Sequence, residues 1–330
     1  MDLEKLLATN LVGQPWLKDS IVYLTNHGSR AYGIHREDSD LDLKGIVIPP
    51  KEYFLGFVNV FEQAEFSNKK DNPAKKDEIE GVAYCIRKFF KLASDCNPNI
   101  IEVLFADESD HIIVHPVMEE VFANRDLFIS KKARYTFAGY AHSQLKRIKN
   151  HRNFILNPPK GAPRRSEFGL PENRKLSTSQ IGGIQNLLDA DYELAEDVIA
   201  LWHKEQAYLN AKKSYDSYMK WKANRNPERY ALEEKYHYDV KHGAHLIRLL
   251  IMGKEILNGE GVKVKRPDAE YIKSIRNGVL SYDEIIELSE KLEREIAGLY
   301  EVSTLRSSPP VNKLDDLLIR TIEKFYSQST

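Results

Sequence analysis

The sequence predicts an α/β segment followed by an α-helical segment. Two short apolar runs rich in β-branched residues, Ile21–Leu24 and Leu41–Ile48, are typical of buried strands. After about residue 115 such runs disappear, and apolar residues recur at helical spacing within residues 131–152, 180–218, 228–258, 282–300 and 313–326. A chain of 330 residues is long enough for two domains. We place them at residues 1–125 and 126–330.

The individual elements of the first segment follow from local patterns. The first strand ends at Gly28-Ser29, where we expect a tight turn and then a polar loop to Ser39. Residues 67–77 are rich in Lys, Asp, Asn and Pro, and we expect a loop there. From Gly81 the apolar spacing predicts a helix that ends near Asn97. The run Ile100–Phe105 fits either a strand or one helical turn.

Composition excludes several classes of protein. No apolar run approaches the roughly 18 residues of a membrane helix, and the acidic start of the chain is unlike a signal peptide. The two cysteines, Cys85 and Cys96, have neither CxxC spacing nor a neighbouring His cluster. We therefore expect a cytoplasmic protein with no membrane partner, no disulfide framework and no zinc site.

Charge is distributed unevenly along the chain. The formal net charge of −1 at pH 7 combines −8 over residues 1–130 with +7 over the remainder. Residues 131–175 carry 12 Lys or Arg against two Glu, a charge of +10. Such a segment is typical either of a polyanion-binding surface or of an ordinary solvated face.

Two short motifs carry the predicted chemistry. Gly28-Ser29 allows the backbone to approach a polyphosphate closely, and its amide groups can bind phosphate oxygens. Asp40 and Asp42 are two residues apart at the second strand, so both carboxylates project from one face. Paired carboxylates repel unless a cation lies between them, and oxygen ligands suit Mg²⁺. Together the motifs predict phosphate chemistry at a divalent metal.

This arrangement resembles the signature of the DNA-polymerase-β nucleotidyltransferase superfamily, in which Gly-Ser is followed after about ten residues by Asp-hydrophobic-Asp. The form Gly28–Gly33 with Ser39–Ile46 resembles the RNA-repair-pathway, polymerase-β-like predicted nucleotidyltransferases. Further similar blocks are Arg87–Phe89, Asn97–Phe105, Gly139–Gln144, Lys241–Leu250 and Val264–Asp268. The resemblance covers roughly residues 20–295 and implies a polymerase-β-type domain with a small mixed sheet.

The resemblance implies metal ligands and a reaction. Asp40 and Asp42 would hold Mg²⁺ or Mn²⁺ together with a third carboxylate from a neighbouring strand. Glu80 has the best offset for that carboxylate, and Glu78 is the alternative on the same strand face, whereas Asp77 faces the other way. An NMP would pass from an NTP to a hydroxyl group, and pyrophosphate, held by Gly28 and Ser29, would leave.

Four cationic residues are candidates for binding the nucleotide. Arg30 follows the phosphate turn and suits either the triphosphate or a surface salt bridge. Lys241, His245 and Arg248 are spaced i, i+4, i+7 and predict a cationic stripe on one helix face. This stripe would either bind phosphates or be a solvated face.

The acceptor is predicted to be RNA, in end repair or processing. Transfer onto a protein or small molecule, and a catalytically silent nucleotide- or nucleic-acid-binding module, are the alternatives. The intact pair Asp40 and Asp42 argues against a silent module. The sequence gives no oligomeric state.

Overall fold

The computed structural model describes residues 14–36, 39–68, 78–173, 175–223 and 227–328. The chain divides into two compact units, one formed by residues 1–147 with 240–330 and the other by residues 148–239. The predicted boundary at residues 125 and 126 falls inside the first unit and stays a prediction. The loop expected at residues 67–77 lies outside the described residues from position 69 onward.

The first unit contains a mixed five-stranded sheet. Its strands are β1 (Ile21–His27), β2 (Leu41–Val47), β3 (Gln63–Ser67), β4 (Ile79–Cys85) and β5 (His111–Val114). Their spatial order is β3-β4-β2-β1-β5. The β2–β4 pair is parallel, and the other neighbouring pairs are antiparallel. This small mixed sheet, with helices after it, confirms the predicted fold class.

Alternation along the strands separates a core face from a polar face. Leu43 and Val47 of β2 and Ala83 of β4 are buried in one apolar cluster. Because successive side chains of a strand point to opposite faces, Asp42 and Glu80 project from the other side. The sheet thus carries its acidic residues on the face opposite that cluster.

Helices make up most of the remaining structure. In chain order they are α1 (Gly28–Ala31), α2 (Glu52–Leu55), α3 (Ile86–Ser94), α4 (Pro98–Leu104), α5 (Glu119–Ala123), α6 (Ala133–Leu156), α7 (Thr178–Asp189), α8 (Glu196–Ala223), α9 (Pro227–Tyr236), α10 (Val240–Leu257), α11 (Ala269–Arg276), α12 (Tyr282–Val302) and α13 (Val311–Gln328). The amphipathic stretches predicted from the sequence correspond to α6 through α10, α12 and α13. Within the described ranges, no helix has both the length and the apolar character needed to cross a membrane.

One predicted boundary is wrong. The helix expected from Gly81 begins at Ile86, because residues 79–85 form β4 instead. Small residues at alternate positions of β4 bury against the sheet core and give only a weak period-two pattern. Of the two alternatives for residues 100–105, the helical one is correct, within α4.

Candidate active site

The first strand ends where the glycine–serine dipeptide begins. β1 stops at His27, and the single helical turn α1 starts at Gly28, whose φ is +62°. Glycine adopts this left-handed conformation without steric cost. A Cβ atom on Gly28 would also overlap the Asp42 carboxylate. The expected tight turn is therefore a helical turn whose backbone lies directly against Asp42.

Arg30 connects this helical turn to the loop that precedes Asp40. Its Nη2 donates a hydrogen bond to the carbonyl oxygen of Ser39 at 2.9 Å. The Arg36 amide donates to the Ser39 hydroxyl, also at 2.9 Å. Because Ser39 immediately precedes Asp40, these bonds fix the backbone that carries the first aspartate. The structure thus gives Arg30 a positioning contact, and the triphosphate contact stays a prediction.

The sheet register brings two of the predicted carboxylates together. Asp42 of β2 pairs with His27 of β1 on one side and with Glu80 of β4 on the other. Residues paired across adjacent strands project from the same face. Asp42 and Glu80 therefore lie side by side, and Asp40 comes directly before β2.

The charges around Asp42 favour a bound cation. Burial raises the pKa of the Asp42 carboxyl, Asp40 and Glu80 raise it further, and Lys241 and Lys44 lower it. Clustered carboxylates that raise one another's pKa are stabilised by a cation. The donor set is all carboxylate oxygen, the kind that Mg²⁺ and Mn²⁺ prefer. The residues present therefore fit a divalent metal ion.

Glu78 occupies a different place from Glu80. The Glu78 carbonyl oxygen accepts a hydrogen bond from the Leu41 amide at 2.8 Å, just before β4 begins. It is Glu80 that pairs in register with Asp42 and contributes to its raised pKa. This geometry favours Glu80 as the third carboxylate, although the ligand role stays a prediction. Asp77 lies outside the described residues.

A buried polar network lies next to the Gly28-Ser29 turn. Glu102 of α4 accepts hydrogen bonds from the Tyr32 hydroxyl at 2.5 Å and from Nη1 of Arg248 at 2.6 Å. The Arg248 guanidinium also lies over the Tyr32 ring, 3.7 Å from its centroid, and its Nη2 is 3.1 Å from Nδ1 of His245. Nε2 of His27 is 3.7 Å from the Glu102 carboxylate. The network joins α4 and α10 to the residues that flank Gly28.

The sequence analysis did not single out Glu102. Its side chain is 1% exposed, and its charge is balanced by Arg248, which is equally buried. The available signal was a lone carboxylate inside the apolar run Ile100–Phe105. A charge at such a position is stable only when it is paired.

The predicted cationic stripe of α10 runs from solvent into the interior. Lys241 is exposed, His245 is half-buried and Arg248 is fully buried. The three side chains therefore do not form one solvated face, and the phosphate-binding role predicted for them stays a prediction. Lys241 and His245 remain candidates for binding the nucleotide. Arg248 donates a hydrogen bond to Glu102 and lies over the Tyr32 ring, so we assign it a positioning role.

Burial keeps the two histidines of the network neutral. The pKa of His27 lies well below its usual value because of burial and then the charges of Lys44 and Arg248. Burial and the same guanidinium lower the pKa of His245 to about 3. Neutral imidazoles beside Arg248 leave Glu102 as its counter-charge.

Stability is expected to fall in mild acid because of His245. In the unfolded chain the pKa of His245 is about 6.5. Below that pH the unfolded state therefore binds a proton that the folded state does not bind. From pH 7.5 to 5.5 this one residue costs about 1.4 kcal/mol of unfolding free energy. Over this pH range, the free energy of unfolding in urea should fall by about 1.4 kcal/mol less for His245→Asn than for the wild type. The exposed His35→Asn variant is the control, and equal pH slopes for His245→Asn and wild type would contradict the assignment.

Gly28→Ala is expected to destabilise the protein more than Gly33→Ala. Both glycines have positive φ, so each substitution introduces about 1–2 kcal/mol of backbone strain. At Gly33 a Cβ would meet only Ala269, at an ordinary 3.8 Å, whereas at Gly28 it would displace the Asp42 carboxylate. Urea denaturation measures the difference between the two variants. Equal losses would show that Gly28 is required for its conformation alone.

Part of the chain is similar to known proteins. Residues 2–156 match the model of the RNA repair pathway DNA polymerase beta family. The chain is also 29% identical over 123 residues to an enterobacteria phage T4 protein described as an uncharacterized 38.9 kDa protein in the nrdC-mobD intergenic region. That match covers 36% of this chain and 35% of the relative, so the chain spans about a third of the relative's length.

No solved structure matches the chain. The family match covers α1, β1 to β5 and every predicted carboxylate ligand, and it confirms the resemblance found in the sequence. Residues 2–156 are therefore similar to the RNA repair pathway DNA polymerase beta family.

Proposed function

We propose that the protein transfers a nucleoside monophosphate from an NTP to a hydroxyl group of RNA and releases pyrophosphate. The reaction would depend on Mg²⁺ or Mn²⁺. The observation that carries this proposal is the contact between the Gly28 backbone and the Asp42 carboxylate, with Glu80 in register beside Asp42. The Gly28-Ser29 turn and the carboxylates thus lie at one end of the sheet, which supports phosphate chemistry there.

The chemistry follows from the residues at that end. The attacking hydroxyl oxygen loses its proton to solvent and bonds to the α-phosphorus, and the bond from that phosphorus to the oxygen bridging to the β-phosphate breaks. Divalent metal held by Asp40, Asp42 and Glu80 would neutralise charge on the phosphates. The first amides of a helical turn have no intrahelical acceptor, so those of Gly28 and Ser29 can donate to pyrophosphate oxygens. Lys241, close enough to lower the pKa of Asp42, adds positive charge.

The test is a labelling experiment with the full chain. The protein is incubated with each of the four α-³²P-labelled NTPs, Mg²⁺ or Mn²⁺, and pools of tRNA or nicked RNA. Label that appears on RNA supports the proposal. Label on the protein itself or on a small molecule would replace RNA as the acceptor. NTP binding without any label would indicate a silent nucleotide-binding module.

Glu80→Gln is expected to slow transfer far more than Glu78→Gln. Only Glu80 pairs in register with Asp42, so its loss removes one carboxylate from the metal site. We expect at least about a 100-fold lower rate, with a larger Mn²⁺ requirement, for Glu80→Gln. Glu78→Gln should stay within severalfold of wild type. Reversal of this order in initial-rate measurements would make Glu78 the third ligand.

A further inference from the structure

The second unit contains a cavity of about 420 Å³ where three helices meet. Its wall includes Phe154 from α6, Tyr218 and Trp221 from α8, and Tyr230 and Glu234 from α9. The volume lies within the roughly 300–1,000 Å³ of small-molecule sites. The predicted nucleotide site does not account for this cavity, and of these five residues only Phe154 lies within residues 2–156, the range of the family match.

Aromatic rings form one wall of the cavity and remain accessible. The ring centroids of Phe154, Tyr218 and Trp221 lie 5.4–5.8 Å from one another, and all three side chains are half-buried. Tyr230, on the third helix, is 41% exposed. Aromatic clusters that only fill a core are usually closed to solvent. Here ring surface faces a cavity and is available for stacking.

The polar groups of the cavity restrict what can bind. Lys222 is exposed at the cavity, with its Nζ 5.8 Å from the Tyr218 ring centroid. This positive charge disfavours a cationic ligand and favours one that carries phosphate. Glu234 accepts a hydrogen bond from the Tyr230 hydroxyl, and its carboxylate can also accept from the N–H groups of a base.

The surrounding charge favours a polyanion. Phe154 lies in the basic segment 131–175, and the part of this segment that belongs to the second unit, residues 148–175, carries seven Lys or Arg against two Glu, a formal charge of +5. Within the second unit this segment has exposed cationic side chains at Lys149, Lys160 and Arg164. Cations combined with accessible aromatic rings are the usual means of binding single-stranded nucleic acid. A base fits the aromatic wall, and its phosphate fits Lys222.

We infer that this cavity binds an unpaired base of single-stranded RNA. The inference rests on the proposed function for the choice of RNA as the polymer. Binding to the cavity is measured separately from nucleotidyl transfer, so each can fail independently.

The test is the affinity of the full chain for a fluorescein-labelled ten-nucleotide oligouridine, measured by anisotropy. Trp221→Ala should weaken binding by between about 5-fold and 100-fold, the range seen when one stacked aromatic is removed. Trp221→Phe should restore most of the affinity. Tyr192→Ala is the matched control, since Tyr192 is a 64% exposed aromatic of the same unit that does not line the cavity.

Lys222→Glu tests the site without disturbing its packing, because Lys222 is exposed. It should weaken binding and lower the salt dependence, with the slope of log K against log salt falling by about 0.7 for one lost phosphate contact. A fully paired RNA duplex should bind without sensitivity to Trp221→Ala. Wild-type affinity in both Trp221→Ala and Lys222→Glu would overturn the inference. RNA binding that depends on Trp221, with no transfer activity in the wild type, would refute the proposed function and leave this site standing.

Discussion

Asp42→Asn is expected to lower the rate of nucleotidyl transfer by at least about 10³-fold while the protein stays folded. Asp42 is the central carboxylate, because it lies against the Gly28 backbone and pairs in register with Glu80. The substitution therefore removes the charge of the carboxylate that lies beside both Gly28 and Glu80. An amide of the same shape preserves the packing at the end of β2.

In metal-free buffer, the free energy of unfolding of Asp42→Asn is expected to equal or exceed that of the wild type. The pKa of Asp42 is raised in the folded state by burial and by Asp40, so its negative charge is disfavoured there. Above that pKa the charge costs stability, and asparagine relieves the cost. Thermal unfolding with and without Mn²⁺ provides the measurement, since added metal should stabilise only the wild type. The exposed Asp19→Asn variant is the control. Transfer within severalfold of wild type would refute the metal site.

The largest expected effect on stability comes from breaking the pair of Glu102 and Arg248. Both side chains are 1% exposed and are joined at 2.6 Å. Removal of one partner leaves an uncompensated buried charge. We expect this to lower the free energy of unfolding by about 3–5 kcal/mol. Arg248→Met therefore should destabilise the first unit strongly, as measured by urea unfolding. Glu102→Gln should do the same.

A double-mutant cycle separates the pair from its surroundings. Combining Arg248→Met with Glu102→Leu removes both charges and should restore much of the stability lost in either single variant. The exposed pair of Lys132 and Asp95, joined at 2.9 Å, is the matched control, and Asp95→Asn should have a much smaller effect. Additive losses in the buried cycle would show that the two residues act independently.

The site motifs could be predicted from the sequence because they are local. Gly28 and Ser29 directly follow a β-branched run, and Asp40 and Asp42 surround the start of the next one. Strand alternation then fixes the face from which the carboxylates project. Glu80 was chosen by its offset in the resemblance, and its register with Asp42 adds geometric support to that choice.

The rest of the site depends on contacts between distant residues. β2 and β4 pair in parallel although β3 lies between them in the sequence, a pairing that no short-range pattern encodes. Glu102 and Arg248 are 146 residues apart. Arg248 therefore looked like part of a solvent-facing stripe, since its spacing from Lys241 says nothing about the carboxylate that it meets in the interior.

The insertion of residues 148–239 between the two parts of the first unit affects how the protein is made. A ribosome releases β1 to β5 and α4 long before it reaches α10, so the nascent chain contains Glu102 without its arginine. The buried pair of Glu102 and Arg248 can form only after translation has passed residue 248. Premature termination within residues 148–239 would yield a chain with every predicted carboxylate ligand present and the counter-ion of Glu102 missing.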